Sequence, residues 1–140
     1  MRFMLIRKAD KETEAGVLPS EQMLAAMMKY NEEMVKAGVM LQGEGLHASA
    51  KGARVKFSGG KPAVIDGPFT ETKELIAGFT MIQVKSKEEA IEWVKRWPAI
   101  DAEAEIEIRQ VFEAEDFGPA LTPEIRKQEE RLRKRTAGKR

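Results

Sequence analysis

The segment Asp66-Gly67-Pro68-Phe69-Thr70-Glu71-Thr72-Lys73-Glu74 sets carboxylates, an ammonium and an aromatic ring beside a turn signal. Charged groups gathered at a backbone bend are suited to acid–base work, because their surroundings can shift their pKa. Asp66 is the candidate base or orienter, and His47, the single histidine, its candidate partner. Lys73 and Arg54 are candidate contacts for a carboxylate or phosphate, with Glu71 and Glu74 on the polar lip of a pocket. Turn chemistry offers a second account of Asp66. Asp before Gly-Pro commonly accepts hydrogen bonds from backbone N–H groups two residues on. Gly67 is expected to adopt positive φ at the bend, and Phe69 to anchor it in the core.

Metal chemistry finds less support. His47, Asp66 and Glu71 offer nitrogen and oxygen ligands, but no His-x-x-His or His-Glu-x-x-His spacing accompanies them. No metal and no cofactor is expected. Gly59-Gly60-Lys61 lacks the spacing of a phosphate loop and reads as a hairpin turn. Arg54 and Arg109 have a plainer reading as cross-strand partners of Glu105 or Glu107.

The frame that carries these groups is an ordinary globular one. The chain has 140 residues, 42% hydrophobic and 34% charged, enough for one domain with its own core. A net charge of +1 gives no general field to attract nucleic acid or an anionic membrane. The absence of cysteine excludes disulfides, a thiolate nucleophile and Cys-ligated zinc, which suits a reducing, cytoplasmic setting. The first apolar run, Phe3 to Arg7, is too short for the core of a signal peptide and reads as a strand. No stretch is long and apolar enough to span a membrane.

Asp10 to Gly16 reads as a mobile loop. Ser20 is the expected N-cap of a helix with Met23, Leu24, Met27, Met28, Met34 and Val35 at helical spacing, stopped by Gly38. Val39 to Ala48 reads as a strand, with Gly43 and Gly45 as weak points or a bulge. A hairpin pairs Ala53–Ser58 with Ala63–Asp66 through Gly59-Gly60. Gly78 to Lys85 is apolar on both faces and reads as a central strand. Ser86-Lys87-Glu88-Glu89 is a capping box opening a helix whose buried stripe is Ala90, Ile91, Trp93, Val94 and Trp97. Ala104 to Phe112 alternates, with Ile106, Ile108 and Phe112 on one face. From Thr122 onward a polar helix is expected after Pro123, fraying at Ala137 to Arg140. Its glutamates and lack of aromatics argue against a nucleic-acid surface. Strand, helix, strand, hairpin, strand, helix, strand is the order of an α+β ferredoxin-like sandwich, βαββαβ with an inserted hairpin. The apolar second face of its sheet predicts a homodimer.

Asp66-Gly67-Pro68-Phe69 with Glu71, Lys73 and Glu74, then Gly78-Phe79, resembles the signature of the DGPF branch of the YCII-related proteins. Gly43-Glu44-Gly45-Leu46, Glu88-Glu89-Ala90 through Trp93, Pro98, and Glu105 through Arg109 with Phe112 also fit. The resemblance runs roughly from Met1 to Phe117. It implies a YCII-related domain over residues 1–118, followed by a polar helix and tail over 119–140. It implies a dimeric α/β-barrel of bacterial type, with no settled activity. A His–Asp pair suggested as the active site of the wider family does not carry over, since the first helix here holds no histidine. Two functions follow as expectations. One is binding, and transformation by acid–base chemistry, of a small polar molecule near the DGPF turn. The other is a non-enzymatic module linked to extracytoplasmic-function sigma factors and their protein partners.

Overall fold

The computed structural model describes residues 1–138. Contacts divide the chain into two compact units, Met1–Gln110 and a second from Val111 onward. In the first, β1 (Arg2–Lys8), α1 (Lys11–Glu14), α2 (Glu21–Lys36) and β2 (Met40–Gly45) lead to a hairpin, β3 (Ala53–Ser58) and β4 (Lys61–Asp66). Then come β5 (Ile76–Gln83), α3 (Lys87–Lys95) and β6 (Ile106–Gln110). The main sheet is antiparallel throughout, in the order β2-β5-β1-β6. Two helix connections and this strand order make the ferredoxin-like α+β arrangement that the sequence predicts.

Pairing register explains the core. Phe3 lies opposite Ile82 and Leu5 opposite Thr80, so these four share one face. That face packs under α2 and α3, where Tyr30, Met34 and Ala90 join it in the buried cluster together with Val39 and Val84. The Tyr30 hydroxyl donates to the Trp93 carbonyl (2.7 Å), and its ring meets Trp97 edge-on at 5.5 Å, tying α2 to α3. The opposite face carries Met4, Ile6, Phe79 and Met81, all half-buried and outside the core cluster.

Ser20 caps α2 by accepting from the Met23 N–H, and Ser86 caps α3 by accepting from the Glu89 N–H. Glu89 reaches back to the Lys85 N–H (2.8 Å), one residue short of the Ser86 N–H that a capping box would use. The methionine pattern of α2 needs correcting. The helix turns Tyr30 and Met34 inward and leaves Leu24, Met28 and Val35 exposed. Two further expectations shift. The irregularity in β2 falls between Met40 and Gln42 rather than at its glycines. β6 stops at Gln110, and Phe112 stacks on Phe117 (5.0 Å) instead of continuing the sheet face.

Asp10 to Gly16 is not a mobile loop, since it contains α1. Asp10 accepts from the Thr13 N–H (2.9 Å), and Thr13 Oγ1 accepts from the Asp10 N–H (2.9 Å). Arg7 Nη1 donates to the same aspartate (3.1 Å). The Thr13 N–H, then Arg7, hold the Asp10 carboxyl below its usual range. α1 buries no residue, so hydropathy gave it no signal.

In the second unit α4 (Pro123–Ala137) follows a Thr122 cap and carries Ile125 and Leu132 half-exposed. Arg126 reaches Glu115 at 3.4 Å. The fraying expected at Lys139 and Arg140 lies outside the described residues. Among the described residues no helix is long and apolar enough to cross a membrane.

Candidate functional site

The DGPF segment leaves the hairpin at the end of β4 and is seated on the 3₁₀ turn Ser49–Lys51. The Gly67 N–H donates to the Gly52 carbonyl (2.9 Å). The Phe69 N–H donates to Ser49 Oγ (3.0 Å). Pro68, between them, has no N–H to satisfy. Ser49 is held in turn by Glu14 at the end of α1. Its hydroxyl donates to Glu14 Oε1 (2.5 Å) and its N–H to Oε2 (2.9 Å). The Arg54 guanidinium lies 3.9 Å over the Phe69 ring. A 3₁₀ turn, Thr72–Glu74, then leads into β5.

Gly67 is needed here for a reason the sequence reading misplaced. Its φ is not positive, and its peptide bond to Pro68 is cis. A Cβ at Gly67 would stand 1.8 Å from the Ser49 carbonyl oxygen and 2.6 Å from its carbon. Close approach of two backbones demands glycine at this position. Phe69 is likewise not a core residue. It is half-buried, outside the main cluster, between Arg54 and Ser49.

The predicted site residues divide by how they are used. Asp66 closes β4 opposite Ala53 and is exposed, and its carboxylate accepts no hydrogen bond among the described residues, so the bend is not an Asx turn. Lys73 and Glu74 are exposed and likewise free of ion pairs. Among the described residues the Glu71 carboxylate accepts from its neighbour Thr70 (3.3 Å) and from no other group. His47 is exposed between β2 and the Ser49–Lys51 turn, and no hydrogen bond joins it to Asp66. Arg54 belongs to the hairpin rather than the main sheet, so it faces neither Glu105 nor Glu107. Arg109 does reach Glu107 (3.3 Å). No group of three His, Cys, Asp or Glu among the described residues is placed to hold a metal ion.

Sequence reading missed Glu14, Ser49 and Gly52. Nothing in the spacing of Glu14 and Ser49, 35 residues apart, links them to the DGPF motif. Only the Asp10–Thr13 cap, a readable helix-start pattern, hints that α1 exists to carry Glu14.

The molecule has a second polar cluster. Arg7 donates twice to Asp101 (2.7 and 3.2 Å), and Trp97 Nε1 donates to the same carboxylate (3.0 Å). A cleft of about 420 Å³ opens beside it, lined by Val94, Trp97, Pro98, Asp101 and Ile106. None of the predicted site residues lines it. With Arg7 and Trp97 satisfying Asp101, this cluster ties β1 to the chain beyond α3.

Comparison with known proteins sets the chain in context. An uncharacterised protein of Rhizobium meliloti (strain 1021) is 31% identical over 75 residues, 54% of this chain. That match spans 60% of the length of the relative. Among solved structures, 5-chloro-2-hydroxyhydroquinone dehydrochlorinase of Burkholderia phenoliruptrix AC1100, in complex with 2,5-dihydroxybenzoquinone, aligns at 16% identity. The alignment covers 83% of this chain and 98% of that one, with a TM-score of 0.45. The YCII-related domain matches residues 1–115, spanning both helix connections, the hairpin and the DGPF turn. The chain therefore belongs to the YCII-related family.

Proposed function

We propose that this chain is a DGPF-branch protein that binds a small polar molecule beside the Asp66–Glu74 segment and transforms it by acid–base chemistry. The observation that carries this reading is a contrast within the segment itself. Its backbone is fixed at Gly67 and Phe69, while the charged groups of Asp66, Lys73 and Glu74 engage no partner among the described residues. Charges that only stabilised the turn would be bonded to it. Charges held on a fixed bend and left open can meet a ligand at little ordering cost. In this reading Asp66 takes or orients a proton and His47 is its partner. Lys73 and Arg54 contact an anionic group, and Glu71 and Glu74 form the lip.

The finer architecture belongs to the same proposal. The face bearing Met4, Ile6, Phe79 and Met81 would pack against its copy in a homodimer, giving the dimeric α/β-barrel. Its support is an apolar centre on two strands, flanked by Glu44 and by Glu107 and Arg109.

A thermal-shift titration with malonate and with inorganic phosphate, wild type beside Asp66→Asn, tests the site. Stabilisation of wild type that the variant loses supports it. Equal stabilisation of both, or of neither, removes the site from this turn.

A further inference from the structure

We infer that Glu14 and Ser49 are positioning residues of the DGPF site, joining α1 to the turn through one serine hydroxyl. The inference deepens the reading just given, and rests on it for the word site. The geometry stands without it. Ser49 meets the motif in two ways. Its Oγ accepts the Phe69 N–H, and its carbonyl lies against the Cα of Gly67. Glu14 fixes both the N–H and the O–H of that serine with its two carboxylate oxygens. A bidentate, charge-assisted pair of this kind fixes direction as well as distance. The serine hydroxyl thus donates to Glu14 while it accepts from Phe69. Alanine removes both roles, and threonine keeps both.

The order of dependence runs along the chain. Arg7 and the Thr13 N–H hold Asp10, Asp10 caps α1, and α1 ends at Glu14. Glu14 holds Ser49, and Ser49 holds the residue three positions after Asp66. Displacement of Ser49 would release Phe69 and, with it, the Arg54 contact and the direction in which Asp66 and Lys73 face. The hairpin, which buries no residue, has no packing to resist that movement.

Amide hydrogen exchange on the full chain decides the matter, with Ser49→Ala, Ser49→Thr and Glu14→Ala beside wild type. Ser49→Ala is expected to speed exchange at Phe69 tenfold or more while β1 and β5 amides keep their rates. Ser49→Thr is expected to restore the wild-type rate at Phe69. Glu14→Ala is expected to speed exchange at both Ser49 and Phe69. Unchanged exchange at Phe69, a uniform rise across the sheet, or failure of threonine to rescue would each overturn the inference. Malonate titration of the same variants separates the two ideas. If wild type binds no probe, the site reading fails while exchange still decides the link. If wild type binds, Ser49→Ala is expected to weaken binding at least threefold and Ser49→Thr to retain it.

Discussion

The helix-covered half of the main sheet and the hairpin with its DGPF turn belong to the same unit and are held by different physics. In the first, Phe3, Leu5, Met34 and Ile82 are essentially removed from water, and many dispersion contacts share the work. In the second, every residue of both strands is exposed, and the base is fixed by a few named hydrogen bonds and one missing Cβ. A two-stranded hairpin alone is marginal in water. Its seat at Ser49–Gly52 therefore matters more than any strand contact within it.

The largest expected effect is a cavity in the core. Leu5→Ala should cost about 2–5 kcal/mol, read as a lowered denaturation midpoint with all probes moving together. A loss below about 1 kcal/mol would mean the helix-covered face is loosely packed. Next is Gly67→Ala, which forces its Cβ into the Ser49 carbonyl and should cost about 1–3 kcal/mol. Amide exchange should localise that loss to residues 49–75. A variant with wild-type stability would mean the two backbones do not approach as described.

Tyr30→Phe follows, at about 1 kcal/mol, because the Trp93 carbonyl loses one of its two donors and keeps only the Arg96 N–H. Tyr30 also gives a pH signature. Burial pushes its hydroxyl up to about 12. The unfolded chain therefore ionises first, near the ordinary tyrosine value of about 10. Stability should be full below that value and fall as pH rises toward about 12, by at most about 1.4 kcal/mol per pH unit. The chain has one tyrosine, so tyrosinate absorbance reads it directly. A midpoint near 10 in the folded protein would show an open α2–α3 seam. Smallest is Phe57→Ser on the hairpin, where a 70% exposed ring should change stability by less than about 0.5 kcal/mol. A larger loss would reveal that this face is covered in solution, and would narrow the difference between the two regions.

Legibility in the sequence follows the same division. β5, α3 and the hairpin turn were readable because periodicity, caps and Gly59-Gly60 are local signals. α2 was readable in extent and its buried stripe in part: Met34 and Met27 face the core as the spacing predicts, while Leu24, Met28 and Val35 do not. Tyr30 was the unread member, because its hydroxyl is satisfied by the Trp93 carbonyl, a partner 63 residues away. α1 was hidden because it buries nothing, so only its Asp10–Thr13 cap announces it. At the site, Asp66 and Lys73 were visible as types, and the role of Gly67 was visible only as a need for glycine. The reason for that need lies in Ser49, which no local pattern connects to the motif.

The hairpin carries one more consequence. Gly59 and Gly60, with φ of 59° and 81°, form a two-residue turn that fixes Val55 opposite Val64 and Phe57 opposite Pro62. Those four share one side with Asp66, while Arg54, Lys56 and Lys61 share the other with Ile65. The chemical identity of each side is thus a question of parity. One residue inserted into the turn would shift the return strand by a single step, sending Val64 among the cations and Lys61 among the apolar groups. Two would restore the sorting. Length variation at this tip should therefore come in even steps wherever the two sides have different tasks.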